Sequence, residues 1–400
     1  MTPMLLSPFT LRGITVPNRA VVSPMQMYRA TSDGSCTDWH LVHLGKYATA
    51  RFGTVFTEVL CVEPRGRSTY SDAGIWSDDH IGPLRRIAEF IRGEGSVPAA
   101  QIGHCGPKSS RQRPYDGLQP LGPEDTERGE APFQAVSATD TPAAPGYPAP
   151  HALTTAEIAE LVDAFGQAAR RCDAAGFDIL DVHAAHGYLI HSFLSPLSND
   201  RSDAYGGDAA GRMRFALEIA EALRRNWPDE KPILFRLSCI DRFEGGLVVE
   251  DTIVLARELK ARGIDAIDCS SGGIKGPNSL FSLTKNAALT QGYQVPLADA
   301  VKQGAEMATM AVGMIVDPEY AEQVLREGKA DLIALAREAL NNPNWLLHAT
   351  RTLSEDKTYD AWPPNMGWWL EVRQRMLTST DPKDWRIGPA AANAPDAAAR

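Results

Sequence analysis

The chain reads as an α/β protein of the closed (β/α)8 TIM-barrel class, and three observations predict it. Three times an amphipathic helix, a glycine stop and a short apolar strand follow one another in that order. Eight apolar runs of strand length can be found along the chain, and helix alternating with buried strand means a parallel sheet. The length of 400 residues suits a single barrel carrying extra loops.

In chain order the predicted strands are Arg19–Ser23, Gly53–Thr57, Val97–Ile102, Phe177–Val182, Pro232–Leu237, Ile264–Cys269, Thr309–Val312 and Ala330–Leu335. Before the fourth, Thr154 and Glu157 form a capping box. Ile158, Leu161, Val162, Phe165, Ala169 and Cys172 then share one helical face, and Gly176 ends the helix. Before the sixth, a helix over Thr252–Ala261 stops at Gly263. Before the eighth, Asp317 caps, Pro318 fills the first turn and Gly328 closes.

Residues 107–150 break this rhythm. They are rich in Pro, Gly, Asp and Glu without apolar period, which predicts a long surface excursion over the barrel mouth. The barrel is expected to span 1–375. The tail, 376–400, lacks a periodic face and is expected to be partly disordered.

Hydrophobic residues at 44% and charged residues at 22% are those of a soluble globular chain. A net charge of −10 argues against a nucleic-acid surface. The start of the chain lacks the basic and apolar regions of a secretory signal. No apolar run approaches the roughly 20 residues that cross a bilayer. A cytoplasmic protein without a membrane partner is expected. Its six cysteines (36, 61, 105, 172, 239 and 269) are scattered with no C-x-x-C pair, which suits reduced thiols better than a disulfide framework or a metal cluster.

In a barrel the chemistry belongs at the C-terminal ends of the strands. The most informative stretch there is Asp181-Val-His-Ala-Ala-His-Gly-Tyr-Leu189. His183 and His186 can donate to one oxygen and Tyr188 can supply a proton, which together polarise and protonate a carbonyl compound. As a metal site the pair lacks a third ligand, so no metal is expected. A purely structural pair is the alternative. His40, His43, His80, His191 and Trp39 read as surface or packing residues.

Gly272-Gly273, Gly313 and Arg337 follow the last three strands, where barrels commonly bind phosphate. Glycine lets a ligand approach the backbone, and arginine gives a forked donor. Arg236 lies in a buried strand and needs an anion. Either a flavin ring with negative charge near N1 or a carboxylate of the barrel itself would serve.

These residues resemble the Old Yellow Enzyme family of flavin-dependent oxidoreductases. The resemblance is carried by Asn18-Arg19, Ser23-Pro24-Met25, Asp38-Trp-His-Leu-Val-His43, Gln101-Ile-Gly-His104, His183-Ala-Ala-His-Gly-Tyr188, Phe193–Asn199, Arg201 and Tyr205-Gly-Gly207. The ending Trp368-Trp369-Leu370 is most similar to the class containing bacterial xenobiotic reductases. It implies one non-covalent FMN, with Pro24, Met25, Gln26, Val59 and Gln101 along the ring and Arg236 near N1. Ser271, Gly273, Gly313, Met314 and Arg337 would surround the phosphate. NADPH or NADH would reduce the flavin, and an activated alkene would reoxidise it. His183 and His186 would grip the alkene's carbonyl while Tyr188 protonates its α-carbon. Tyr28 and Gln26 would line the substrate cavity. Trp369 would reach a neighbouring subunit's site, implying a homodimer or higher homo-oligomer.

Four departures bear on activity: Gln26 where the class commonly has Cys, Val59 for Ala, Pro107 within the usual His-Ala-Gly-Arg-Lys pattern, and Ala336 for Gly before Arg337. The implied activity is an ene-reductase acting on α,β-unsaturated carbonyl compounds. The alternatives are an N-demethylase or dehydrogenase using the same flavin, or a flavin-free isomerase, lyase or binding barrel.

Overall fold

The computed structural model describes residues 2–274, 289–354 and 358–379. Strands β1 (Phe9–Leu11) and β2 (Ile14–Val16) make an antiparallel hairpin ahead of the barrel. β3 (Ala20–Val22), β4 (Thr54–Cys61) and β5 (Val97–Gly103) open the barrel. β6 (Val136–Ser137) and β7 (His151–Ala152) pair with each other. β8 (Ile179–Ala184), β9 (Ile233–Ser238), β10 (Ala266–Ser270), β11 (Ala308–Ala311) and β12 (Leu332–Leu335) complete it. The closed order is β10-β11-β12-β3-β4-β5-β8-β9, with parallel neighbours throughout. These are the eight predicted strands.

In two strands the ends differ from expectation in a way that moves site residues. The helix Thr155–Ala174 ends with Gly176 N–H bonded to Asp173 O and Phe177 N–H bonded to Cys172 O. That closing bond uses residue 177, so β8 starts at Ile179 and takes His183 inside the strand. β4 runs on to Cys61 through an irregular register between Phe56 and Val59, which places Glu58 and Val59 within it. The Thr154–Glu157 capping box is present: Glu157 N–H donates to Thr154 Oγ1 at 3.3 Å and Thr154 N–H to Glu157 Oε2 at 2.8 Å.

Alternate strand residues face the lumen. Low in the barrel these are apolar: Val21, Phe56, Ala99, Ile179, Leu234, Ala266, Met310 and Leu332 belong to one buried cluster. Two residues further along, the lumen positions become Gln101, Asp181, Arg236 and Asp268. The same alternation then reaches His183, Ser238 and Ser270. The barrel is thus sealed by hydrocarbon below and polar at its mouth.

The excursion is packed rather than loose. It carries a short helix, Pro123–Glu127, and Tyr147 and Ala143 pack on Ile274. The helix Pro364–Thr378 stays largely exposed. Of the predicted tail, residues 380–400 lie outside the described residues. No helix among the described residues is long and apolar enough to cross a membrane.

Candidate active site

Beyond β8 the chain turns through two left-handed residues, His186 (φ 60°) and Gly187 (φ 72°). A Cβ on Gly187 would lie 2.9 Å from the Ile274 backbone, so a side chain is excluded by space as well as by φ. Polar contacts hold this unusual turn. His186 N–H donates to Ser238 Oγ (2.9 Å), and Gly187 N–H donates to His191 Nδ1 (2.8 Å). His191 Nε2 stands 3.1 Å from Asp241 Oδ1, with both side chains buried. Lys108 Nζ, from the start of the excursion, donates to the His186 carbonyl. His191 therefore braces the turn from a buried position, and His40, His43 and His80 are buried as well.

The two rings meet directly, with His186 Nδ1 3.1 Å from His183 Nε2. His183 Nδ1 accepts from Ala185 N–H at 3.4 Å, and His186 Nε2 lies 2.7 Å from Ser270 Oγ. These contacts assign the tautomers: His183 Nε2–H donates to His186 Nδ1, and His186 Nε2–H donates to Ser270. Both rings are held well below the usual histidine range, chiefly by burial. For His183 Arg236 comes next, and for His186 the first ring comes next, ahead of Arg236. They are neutral donors near pH 7. An arriving oxygen must take both N–H groups from their present partners.

Tyr188 stacks on His183 with ring centroids 4.4 Å apart. Its hydroxyl donates to Gln26 Oε1 at 2.9 Å, and Gln26 Nε2 donates to Asp72 Oδ2 at 2.8 Å. Tyr28 is half-buried with a left-handed φ of 58°, and its ring meets Tyr115 edge-on at 6.3 Å.

A cavity of about 510 Å³ opens beside these residues, within the usual size range of a ligand site. His186, Tyr188, Arg236, Ser271, Gly313, Met314 and Arg337 contribute to its wall. His183, Gln101 and Val59 are buried in the strands and not part of that wall, and Pro24, Met25 and Gln26 follow β3, half-buried and likewise outside it. Gly273 packs inward instead: a Cβ there would meet Asp241 Oδ1 at 2.4 Å. Trp369 lies outside the cavity wall, 66% exposed, against Trp368.

The donor set fits a flavin mononucleotide. Arg236 is buried, with Nε 3.3 Å from Asp268 Oδ2 and Nη1 donating to Ser23 Oγ at 3.2 Å. Nε faces Asp268, and the residue lines the cavity wall, so its guanidinium offers positive charge to an electron-rich ring edge. Asp181 is pushed up by burial and by Asp268, and Gln101 Nε2 donates to it at 2.7 Å. At the other end, Gly313 (φ 128°) leaves room that a Cβ would take from Tyr293 and Gln294. The Ser271 hydroxyl, Gly313 and Arg337 form a cradle suited to phosphate.

Sequence reasoning missed Tyr293 and Gln294 in the wall, and gave no role to Lys108 and Ser270 there or to Asp181 and Asp268 beneath it. The last two carried a readable signal, since each is a charge at a lumen position of an otherwise apolar strand. Among the described residues, Cys61, Asp72 and Cys105 bring three metal-ligand atoms within 4.8 Å. Asp72 is already saturated by Ser68, Thr69 and Gln26 donors.

Comparison with known proteins shows the family of the chain. The model of the NADH:flavin oxidoreductase / NADH oxidase family matches residues 4–356. An NADPH dehydrogenase of Geobacillus sp. (strain WCH70) is 40% identical over 354 residues, covering 88% of this chain and 95% of its own. The NADPH dehydrogenase of Bacillus subtilis (strain 168) is 37% identical over 357 residues, 89% and 97% of the two chains. Morphinone reductase in complex with tetrahydroNAD superposes with a TM-score of 0.70 at 24% identity, covering 91% of this chain and 94% of that one; at that identity the likeness speaks for the fold. A 2-naphthoyl-CoA reductase complex gives 0.74 at 26% identity over 85% of this chain and 51% of that one.

Proposed function

Since the chain belongs to the NADH:flavin oxidoreductase / NADH oxidase family, the family of Old Yellow Enzyme, we propose that it is an ene-reductase for α,β-unsaturated carbonyl compounds. It is an FMN-dependent, NAD(P)H-linked oxidoreductase. Arg236 would hold the pyrimidine edge of the flavin, with Ser271, Gly313, Met314 and Arg337 at its phosphate. Bound FMN supplies the two-electron relay between the nicotinamide and the β-carbon of the substrate.

The protein's own part is positioning and proton supply. His183 Nε2–H would turn from His186 Nδ1, and His186 Nε2–H from Ser270, onto the carbonyl oxygen, drawing charge away from the β-carbon. Neutral imidazoles are the right donors here, because they polarise the carbonyl without paying for a buried charge. Tyr188 gives its proton to the α-carbon.

The observation that carries the reading is the contact set joining His183, His186 and Tyr188 beside the cavity. Its test is the mixing of NADPH-reduced holoenzyme with cyclohexenone and other enones. Rapid reoxidation is expected, and failure with every enone would end the reading.

One observation favours a second reading, oxidative N-demethylation or dehydrogenation at the same site. The Tyr188 hydrogen is committed to Gln26, and an oxidation requires no proton from it. Reduction of the enzyme by an N-methyl substrate without NADPH would support that chemistry. We further propose a homodimer in which Trp368 and Trp369 lie in the interface, since both are exposed on one helix.

A further inference from the structure

We propose that Glu58 is a positioning residue for the proton donor: with His40 it clamps the main chain that carries Gln26, and so sets the bond between Gln26 and Tyr188. This deepens the reading just given and rests on it only for the role of Tyr188 as acid.

Glu58 stands where β4 is irregular, between Phe56 and Val59, and such an irregularity re-aims a side chain. Its carboxylate is buried, and each oxygen meets one donor. His40 Nε2 lies 3.1 Å from Oε1, and Met27 N–H donates to Oε2 at 3.2 Å. His40 belongs to the Asp38-Trp-His-Leu-Val-His43 stretch at the head of the helix Asp38–Thr49, which contributes nothing to the cavity wall. Thr37 N–H donates to His40 Nδ1 at 2.9 Å. The neutral ring therefore carries its hydrogen on Nε2 and gives it to Glu58.

Neither donor can become an acceptor: a peptide N–H never does, and the ring is committed by Thr37. Of the side chains that fit this space, a carboxylate satisfies both at once, and a buried carboxylate in turn needs both. Burial, and Asp72 more weakly, push the carboxyl up, against the His40 ring and the Met27 amide. The Met27 N–H belongs to the peptide group shared with Gln26. Glu58 therefore fixes the main chain from which the Gln26 side chain springs, while Asp72 holds the far end of that side chain at 2.8 Å. Between these two anchors Gln26 Oε1 receives the Tyr188 hydroxyl at 2.9 Å. On the other side of Met27, Tyr28 keeps its left-handed φ of 58°, a conformation that persists where the surroundings impose it.

The test uses Glu58→Gln in the FMN-loaded enzyme, alone and together with Gln26→Ala. A glutamine keeps the shape of glutamate but offers one acceptor and one donor. Whichever way its amide turns, one of the two arriving N–H groups must face another N–H. Glu58→Gln should shift the ratio of enone to quinone reoxidation rates about two- to tenfold, in the same sense as Gln26→Ala. In the Gln26→Ala background the shift should be less than about twofold, because the residue through which Glu58 acts is gone. Equal shifts in both backgrounds, or a lowered Tm with an unmoved ratio, would overturn the proposal. A second measurement needs no substrate: fluorotyrosine is placed at 188 and its fluorine resonance is recorded. Glu58→Gln should move that resonance when Gln26 is present and leave it in place when Gln26 is replaced by alanine. A resonance indifferent to Glu58 rejects the clamp even if no enone is ever reduced. His40→Phe opens the clamp from its other end while filling the space of the ring, and should act in the same direction on both readouts; a silent His40→Phe would likewise reject it.

Discussion

The phenol of Tyr188 points its hydrogen at the amide oxygen of Gln26, 2.9 Å away, because Asp72 holds the amide nitrogen at 2.8 Å. A carboxylate can only accept, so the orientation of the amide is determined. The resting site therefore holds its acid in a bond that catalysis must break. Gln26→Ala removes that bond. Reoxidation of the reduced enzyme by an enone should quicken about two- to tenfold relative to a quinone, the worth of one ordinary hydrogen bond. Stopped-flow absorbance reads it; a slower enone reaction would show that Gln26 aids the acid rather than restraining it.

Truncating either ring of the facing pair removes a donor to the ligand oxygen. His183→Ala and His186→Ala should each weaken binding of a neutral phenol about tenfold, seen by titration of the holoenzyme spectrum. Because burial keeps both rings well below the usual histidine value, affinity should be flat between pH 6.5 and 8. A marked gain on acidification through that range would mean that the rings bind as cations.

His43 gives the fold a histidine-linked acid limit. Burial lowers its ring to about 4, with Lys46 and His40 adding to the effect. An unfolded histidine titrates near 6.5, so between about 6.5 and 4 the unfolded chain binds a proton that the folded chain refuses. The resulting stability is present above 6.5 and is lost as pH falls toward 4. His43→Phe keeps the stack on Trp39, now 4.8 Å between centroids, and removes the titration. The fall in Tm from pH 7 to pH 4.5 should be smaller in the variant; an equal fall would clear His43 of the effect.

Trp368 and Trp369 are 58% and 66% exposed on the helix Pro364–Thr378. Sedimentation of the wild-type chain should report a dimer, and Trp368→Ala with Trp369→Ala should shift it toward monomer while holoenzyme absorbance is retained. A wild-type monomer at micromolar concentration would remove the proposed interface.

Much of this was legible in the residues. Three helix, glycine and strand phrases and five further apolar runs located the eight barrel strands, because each signal is local. The His183–Tyr188 cluster stood out because its side chains are chemically unusual beside an apolar run. What stayed hidden depended on distance along the chain. Asp72 reaches Gln26 across 46 residues and Gln101 reaches Asp181 across 80, and no spacing rule announces such pairs. Arg236 shows both sides: its need for an anion was readable, while Asp268 as its partner was not, since that pairing depends on the register of β9 against β10.

The barrel closes where β12 meets β3, with Ser23 N–H bonded to Leu335 O at 2.9 Å. Pro24 and Ala336 thereby become neighbours although more than three hundred residues separate them. The proposed ring-edge contacts come from the first barrel strand to leave the ribosome, and the arginine proposed for phosphate comes just after the last. A nascent chain can therefore assemble the nucleotide's seat only once the last barrel strand has emerged, so cofactor loading belongs to the closing of the barrel rather than to its start.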